Sequence, residues 1–256
     1  MLRRMMMARP RTGSFSAEVA ADNPYLWWRA DEPAGAVLGD SSGYSRGGSV
    51  IGTVGTGYTR GLPPIIAADG GSIDILDASA GARSNSDVFS AAVFAANKTF
   101  MVAAKINNSA AAGTILGLCD GDNPTGTTGS RDRIISLDTA GRVRAAVWSG
   151  AISVITSPQP INDGQTHLLH FAIGANAAEG SELYVDGVSA GKMSAISVDT
   201  SGSRYLYLGI LNMSGWGSGF AAGAATALGR YQDVAVFSTR LSPARIAAHA
   251  AAAGLL

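Results

Sequence analysis

The last third of the chain restricts the fold most, because four short runs rich in β-branched and aromatic residues precede one capped helix. The second run ends in an Asp-Gly turn. Consecutive short strands with tight turns are typical of an antiparallel sheet. The four runs are His167–Ile173, Glu182–Gly187, Tyr205–Gly209 and Arg230–Phe237, and the helix follows Leu241.

Strand patterns continue upstream of this region. Residues 99–106 alternate so that one face of the predicted strand is apolar. Residues 133–138 and 142–148 flank a short Thr-Ala-Gly connection and predict a hairpin. The Asp186-Gly187 pair predicts a tight turn that needs positive φ angles.

The only clearly predicted helix is at the C-terminal end. Ser242 suits the N-cap, Pro243 suits the first helical position and Gly254 suits the stop. Many short strands with so little helix predict an all-β fold, a two-sheet antiparallel sandwich. We expect one domain at residues 23–256, preceded by an N-terminal arm at 1–22. The arm is either disordered or attached to a neighbouring subunit, in which case it is ordered only after assembly.

The composition excludes several classes of function. The formal net charge is zero and the basic residues form no stripe, so nucleic-acid binding is not expected. The apolar run at Met5–Ala8 is too short for a secretory signal, and no run is long enough for a membrane helix. The single cysteine, Cys119, excludes an intrachain disulfide. We therefore expect a soluble protein that is made in the cytoplasm.

Several predicted strands are apolar on both faces. Leu168 and Leu169 are adjacent, and Leu206 lies between Tyr205 and Tyr207. Such a strand either lies at the centre of a stack or has its outer face covered by another subunit. Charged residues make up only 15% of the chain, which is compatible with both arrangements.

The order of these segments resembles the laminin-G-like jelly rolls of the concanavalin A-like lectin and glucanase superfamily. The resemblance implies a jelly-roll topology for the sandwich. It covers most of the chain, and residues 107–132 depart from it as a long loop. The segments that carry it are Tyr25–Glu32, Asp40–Gly43, Leu183–Gly187, Leu206–Gly209, Asp233–Phe237 and Leu241–Ile246.

Leaderless, Ala- and Gly-rich domains of this kind are similar to virion proteins of tailed bacteriophages. The resemblance therefore implies a non-enzymatic structural protein on a tail tip, a fibre or the capsid surface. Its partners would be other virion proteins and further copies of itself, docked through the arm and one apolar sheet face. Two alternatives stay open: a bacterial carbohydrate-binding or adhesion module exported by a non-classical route, and a glycan hydrolase.

Catalytic carboxylates were sought as close pairs on one strand, since retaining glycosidases need two carboxyl groups about 5–5.5 Å apart. No run resembles the Glu-x-Asp-x-x-Glu pattern of the superfamily's glycosidases. We therefore expect no enzyme activity and no catalytic residue. The nearest acid clusters are Asp31-Glu32, Asp74 with Asp77, and Asp120 with Asp122.

Metal ligands are also sparse. The three histidines have no cysteine or carboxylate partner at metal-ligand spacing, so we expect no zinc site. Calcium is the one cofactor worth considering, because Asp120, Asp122 and Asn123 place oxygen ligands close together in a loop. An ordinary polar turn accounts for the same residues.

Aromatic residues in loops are the candidates for contact with a glycan or partner. Trp216 lies in a Gly-rich loop that also holds Asn212, and an exposed ring there could stack on a sugar. The alternative is that Trp216 folds back over the sandwich edge. Trp148 is the third candidate, at the end of a predicted strand. The loops at 107–132 and 211–229 are the regions expected to reach a host surface glycan.

Overall fold

The structure is a computed structural model that describes residues 13–66, 70–85, 97–107, 112–121, 123, 125, 130–197, 205–221 and 223–256. The described residues form two helices, α1 (Phe15–Ala21) and α2 (Pro243–Ala252). Their strands are β1 Leu26–Trp28, β2 Val37–Leu38, β3 Gly48–Ile51, β4 Tyr58–Leu62, β5 Ser72–Ile75, β6 Gly81–Ser84, β7 Lys98–Ile106, β8 Gly113–Cys119, β9 Arg131–Leu137, β10 Arg142–Trp148, β11 Ile152–Pro160, β12 His167–Ile173, β13 Ser181–Val185, β14 Val188–Met193, β15 Tyr205–Gly209, β16 Leu211–Asn212, β17 Ala224–Ala225 and β18 Gly229–Phe237.

Sixteen of these eighteen strands build two antiparallel sheets of eight, and β16 and β17 pair with each other. Sheet A has the order β14-β13-β12-β7-β18-β5-β4, and β1 also pairs with β18. Sheet B has the order β11-β10-β9-β8-β15-β6-β3-β2. This arrangement confirms the predicted all-β fold, a jelly-roll-like sandwich that ends in a short helix. No helix in the described part of the chain is long and apolar enough to cross a membrane.

The main core lies between the two sheets. Phe100 and Val102 of β7 face into it, and Leu206 and Leu208 of β15 enter it from sheet B. The alternate residues of β7, including Met101, face the opposite side of sheet A. The predicted alternation at 99–106 is therefore confirmed, and it follows from the two-residue period of a strand.

The outer faces of the central strands are also apolar, because other parts of the same chain cover them. On sheet A, Leu169 faces the main core, whereas Leu168 packs with residues of α1 and α2. On sheet B, Leu206 faces the core and Tyr207 packs on the outer side. The strands that are apolar on both faces thus lie inside a stack, and no second subunit is needed to bury them.

The predicted turns and caps are confirmed where they can be checked. Asp186 and Gly187 have φ angles of 51° and 79° in the β13–β14 turn. The Ser242 hydroxyl accepts a hydrogen bond from the Arg245 N–H at 3.3 Å at the start of α2. Gly254 follows the helix with a φ of 77°. β9 and β10 form the expected antiparallel hairpin.

The described part of the expected N-terminal arm, residues 13–22, packs against the sandwich. Residues 15–21 form α1, which lies on sheet A with Phe15 and Val19 buried. Arg245 of α2 binds the Glu18 carboxylate at 2.9 Å and the Asp22 carboxylate at 3.0 Å. These contacts are all made within one chain. Residues 1–12 lie outside the described range.

Candidate functional site

The outer face of sheet B carries all three predicted contact residues. On β10, Arg144 and Trp148 project to this face, while Val143 and Val147 point into the main core. Residues 210–220, the cover segment, lie across the middle of the same face. The cover segment leaves the end of β10 uncovered, so the three candidates have different environments.

Trp216 is buried, which agrees with the alternative that it folds back over the sandwich and not with an exposed ring. Its side chain is 8% exposed and meets the Phe220 ring edge-on at 5.8 Å. It belongs to an apolar cluster with Met213 of the cover segment and Tyr207 and Ile134 of sheet B. The Gly-rich loop buries the indole because the sheet supplies the contacts that the loop itself lacks. Trp216 therefore holds the cover segment in place and offers no open ring face.

Asn212 is also buried and uses its amide within the chain. Its Nδ2 donates to the Thr125 carbonyl at 3.1 Å, and its Oδ1 accepts from the Ser214 N–H at 3.0 Å. The first bond connects the cover segment to the loop that follows β8, and the second lies within the cover segment. Asn212 therefore stabilises the loops and is not exposed to a ligand.

Arg144 fastens the other end of the cover segment. Its Nη1 donates to the Ser218 carbonyl at 2.7 Å, and its guanidinium lies 4.4 Å from the Phe220 ring centroid. The approach is so close that a Cβ on Gly219 would lie 1.5 Å from Arg144 Nη1. A side chain at Gly219 would therefore displace the Arg144 guanidinium, and the φ of 90° at Gly219 also favours glycine.

Trp148 is the only exposed tryptophan of the four, at 42%, and it lies at the end of β10 opposite Ile152 of β11. Its backbone N–H donates to the Asp132 Oδ1 at 2.9 Å. The Asp132 side chain is fully buried, and its other oxygen accepts from Arg133 Nη1 at 2.6 Å and from the Ser197 hydroxyl. Burial raises the pKa of Asp132, against the lowering effect of Arg133. The backbone below the exposed indole is thus held by a buried polar network.

One apolar neighbour lies beside this indole. Ile152 pairs with Trp148 across β10 and β11, so its half-buried side chain lies on the same outer face. The Ser149 and Ser153 hydroxyls are 2.9 Å apart, but Ser153 pairs with Val147, whose side chain faces the main core, so this pair of hydroxyls belongs to the other side of the sheet. We call Trp148 and Ile152 the Trp148 surface. An exposed indole can stack on the apolar face of a sugar and offer its own N–H to a sugar oxygen.

The acid clusters have separate structural settings. Asp77 Oδ1 caps a turn by accepting from the Ser79 N–H at 2.7 Å. Asp74 lies across from Arg230 in sheet A, and burial raises its pKa against the effect of that arginine. Glu32 forms an ion pair with Arg60. Each carboxylate is thus part of its own local contact.

The calcium candidates gain no ligand set in the described part of the chain, where no three His, Cys, Asp or Glu side chains cluster at metal-binding distance. Asn123 Oδ1 accepts from the Thr125 N–H at 3.1 Å, which is a turn-capping role. Asp120 donates its backbone N–H to the Ser130 carbonyl at 3.1 Å. Asp122 lies outside the described residues, so calcium stays a prediction.

Sequence reasoning missed the histidine contact beneath α2. His170 Nε2 of β12 lies 3.2 Å from His249 Nδ1, and both rings are fully buried. His249 Nε2 lies 2.9 Å from Asp22 Oδ2 at the end of α1. Both histidines occupy apolar stretches, and only the packing of α2 on sheet A brings them together.

The fold and this surface define a class: an antiparallel β-sandwich domain with an anchored aromatic residue on the outer face of one sheet. Residues 70–247 match the family model Laminin_G_3, described as the concanavalin A-like lectin/glucanases superfamily. The match covers more than half of the chain, so the protein belongs to this superfamily. No curated protein matches the chain.

Solved structures share the fold at low sequence identity. Domain 4 of AbnA, a GH43 extracellular arabinanase from Geobacillus stearothermophilus solved with arabinotriose, has a TM-score of 0.58 at 16% identity. The alignment covers 89% of this chain and 98% of that domain. Trypanosoma rangeli sialidase with 2,3-difluorosialic acid has a TM-score of 0.60 at 13% identity over 88% of this chain.

The fraction of each solved structure that this chain covers differs widely. This chain spans 32% of the sialidase, about a third of its length. It spans 50% of the receptor-binding domain of botulinum neurotoxin C/D mosaic serotype, with a TM-score of 0.58, 13% identity and 88% of this chain covered. Likeness at these identities shows the fold, and the activities of these proteins are their own.

Proposed function

We propose that this chain is a non-catalytic glycan-binding domain and that the Trp148 surface makes the contact. The observation that carries the proposal is the exposed indole of Trp148 above the buried Asp132 carboxylate. The other three tryptophans are buried. Tryptophan is enriched among the residues that contribute most to binding at protein interfaces.

The anchoring of the backbone favours binding. Because Asp132 holds the Trp148 N–H and β11 pairs with β10, little backbone freedom is lost when a ligand docks. The indole presents a rigid apolar surface and an N–H donor, which suits a ring that is apolar on one face and hydroxylated at its edge. The arabinotriose complex of AbnA domain 4 supports a saccharide as the ligand class, because that domain aligns over nearly its whole length.

The virion role expected from the sequence resemblance is a finer proposal that stays a prediction. One part of its mechanism is wrong: the apolar outer faces of the central strands are occupied by α1, α2 and the cover segment. A virion partner would therefore bind a different surface, such as the Trp148 surface. Glycan binding would serve a virion module and a bacterial adhesion module equally.

The test is a glycan array probed with the full chain, with arabinotriose and 3′-sialyllactose among the printed glycans. We expect binding to at least one glycan and loss of that binding in Trp148→Ala. Val37→Ala is the matched control, because Val37 is 62% exposed at the opposite edge of sheet B. Absence of binding by the wild-type chain across the array, or equal binding by Trp148→Ala, contradicts the proposal.

A further inference from the structure

We infer a second saccharide subsite, separate from the Trp148 surface, formed by Asn23, Ser41 and Tyr44. Its ligand class is one neutral sugar ring, stacked on Tyr44 and bonded by the amide of Asn23 and the hydroxyl of Ser41. This inference rests on the proposed glycan-binding function and adds a position that the sequence did not indicate.

The platform consists of two tyrosine rings that contact the same arginine. The Arg46 guanidinium carbon lies 3.6 Å from the ring centroid of Tyr25 and 4.5 Å from that of Tyr44. The two rings are 6.3 Å apart and inclined by 27°. Tyr44 is 59% exposed, so much of its ring is accessible to a ligand. A guanidinium in contact with both rings stabilises their orientations.

The loop that carries the stack is rigidly held. Asp40 accepts hydrogen bonds from the backbone N–H of Trp27 at 2.9 Å and of Arg46 at 2.7 Å. Arg46 Nη1 donates to the Tyr25 carbonyl at 2.8 Å. Both charged side chains are therefore engaged inside the loop. The platform is preorganised, and its open side presents neutral groups.

A cleft of about 110 Å³ opens beside Tyr44, between the loop and the end of α1. Its rim includes Asn23 and Ser41. Neither side chain makes a hydrogen bond to another residue in the described part of the chain. Asn23 is nevertheless fixed at the backbone, where its N–H donates to the Ala20 carbonyl at 3.1 Å. An amide and a hydroxyl are thus available beside an exposed aromatic ring.

This combination selects the ligand. An anion would need a cation in the cleft, and the residues that line the cleft include no lysine, arginine or histidine. A purely apolar ligand would leave the amide and the hydroxyl buried without partners, which is unfavourable. A sugar ring satisfies both conditions, because its apolar face covers Tyr44 while its hydroxyls enter the polar cleft.

The experiment is an NMR titration of the full chain with arabinotriose, 3′-sialyllactose and cellotriose in turn. We expect at least one sugar to shift the backbone amides of residues 41–44 in addition to the Trp148 indole signal. Tyr44→Ala should abolish the shifts at 41–44 and keep the Trp148 shift, and Tyr44→Phe should keep both. Trp148→Ala should keep the shifts at 41–44.

The outcomes separate the subsite from the proposed function. If the Trp148 indole shifts while residues 41–44 do not move, the subsite is overturned and the proposed function stands. If the shifts at 41–44 persist in Tyr44→Ala, the subsite is also overturned, because the ring is then not the platform. If no sugar shifts either position, both are overturned.

Discussion

The backbone N–H of Trp148 donates to the Asp132 carboxylate at 2.9 Å, although the indole of Trp148 is exposed and Asp132 is fully buried. The hydrogen bond spans sixteen residues of sequence and joins neighbouring strands of sheet B. Arg133 and Ser197 occupy the other carboxylate oxygen. A surface aromatic residue is thus attached to the interior of the sandwich, which sets it apart from an incidental exposed side chain.

Truncation of Trp216 should lower the free energy of unfolding much more than truncation of Trp148. Trp216→Ala removes a buried indole and its contact with Phe220, so we expect the free energy of unfolding to fall by about 3 kcal/mol. Trp148→Ala removes an exposed side chain, and we expect a loss of about 1 kcal/mol or less. Urea titration measures both. Equal losses would contradict the different roles assigned to these tryptophans.

The Asp186-Gly187 turn should be intolerant of a side chain at Gly187. Gly187 has a φ of 79°, and a Cβ there would lie 2.8 Å from the Ala250 Cβ of α2. Strain of about 1–2 kcal/mol is expected from the φ angle alone, and displacement of α2 adds to it. Gly150→Ala is the matched control, because its φ is 89° but nothing lies within 4 Å. A thermal shift for Gly187→Ala no larger than that of Gly150→Ala would contradict the helix contact.

The buried histidine pair predicts lower stability in mild acid. Burial lowers the pKa of both His170 and His249, and in His249 the Asp22 carboxylate opposes this effect only in part. The unfolded chain, with histidine pKa values of about 6.5, then binds protons before the folded chain does. The stabilising contribution of the neutral histidine pair is therefore fully present above about pH 6.5 and is lost as the pH falls below that value.

His167 contributes to the pH dependence of stability with the opposite sign. Burial lowers its pKa, but the carboxylates of Asp186 and Asp163, at 2.8 and 3.1 Å, outweigh burial and raise it overall. Its contribution is present below about pH 6.5 and is lost as the pH rises through the folded-state pKa.

Urea midpoints at pH 7.5 and 5.5 test the sign of the histidine pair. The wild-type chain should be less stable at pH 5.5, and His249→Gln should narrow the difference between the two pH values. His167→Gln should widen the same difference. Most carboxylates titrate below this window, and Asp74 and Asp132, whose pKa values are raised by burial, contribute equally to the wild type and to the histidine variants. A wild-type chain that is more stable at pH 5.5 would contradict the account.

Local signals in the sequence predicted much of the fold. The Asp186-Gly187 pair, the Ser242-Pro243 cap and the alternation of residues 99–106 each depend on neighbours a few residues away, and all three are confirmed. The helix α1 was missed, because its seven residues carry only Phe15 and Val19 as an apolar pair. A segment of only seven residues is too short for its apolar pattern to distinguish a helix from a polar arm.

The candidate site depended on contacts that the sequence does not show. Trp216 is buried because Tyr207 and Ile134 of sheet B lie beneath it, a relation set by strand order. The anchoring of Trp148 depends on where β9 lies beside β10, which places Asp132 below the β10 end. Composition and spacing identify both tryptophans as candidate contact residues, but only the packing shows which one is exposed.

The affinity of Trp148 variants for the best array ligand tests the central claim most directly. Isothermal titration calorimetry of the wild type, Trp148→Phe and Trp148→Ala, each confirmed as folded by circular dichroism, gives the comparison. We predict that Trp148→Ala weakens binding on the order of tenfold or more, with Trp148→Phe in between. A Trp148→Ala protein that binds as tightly as the wild type would show that the exposed indole is not the contact residue.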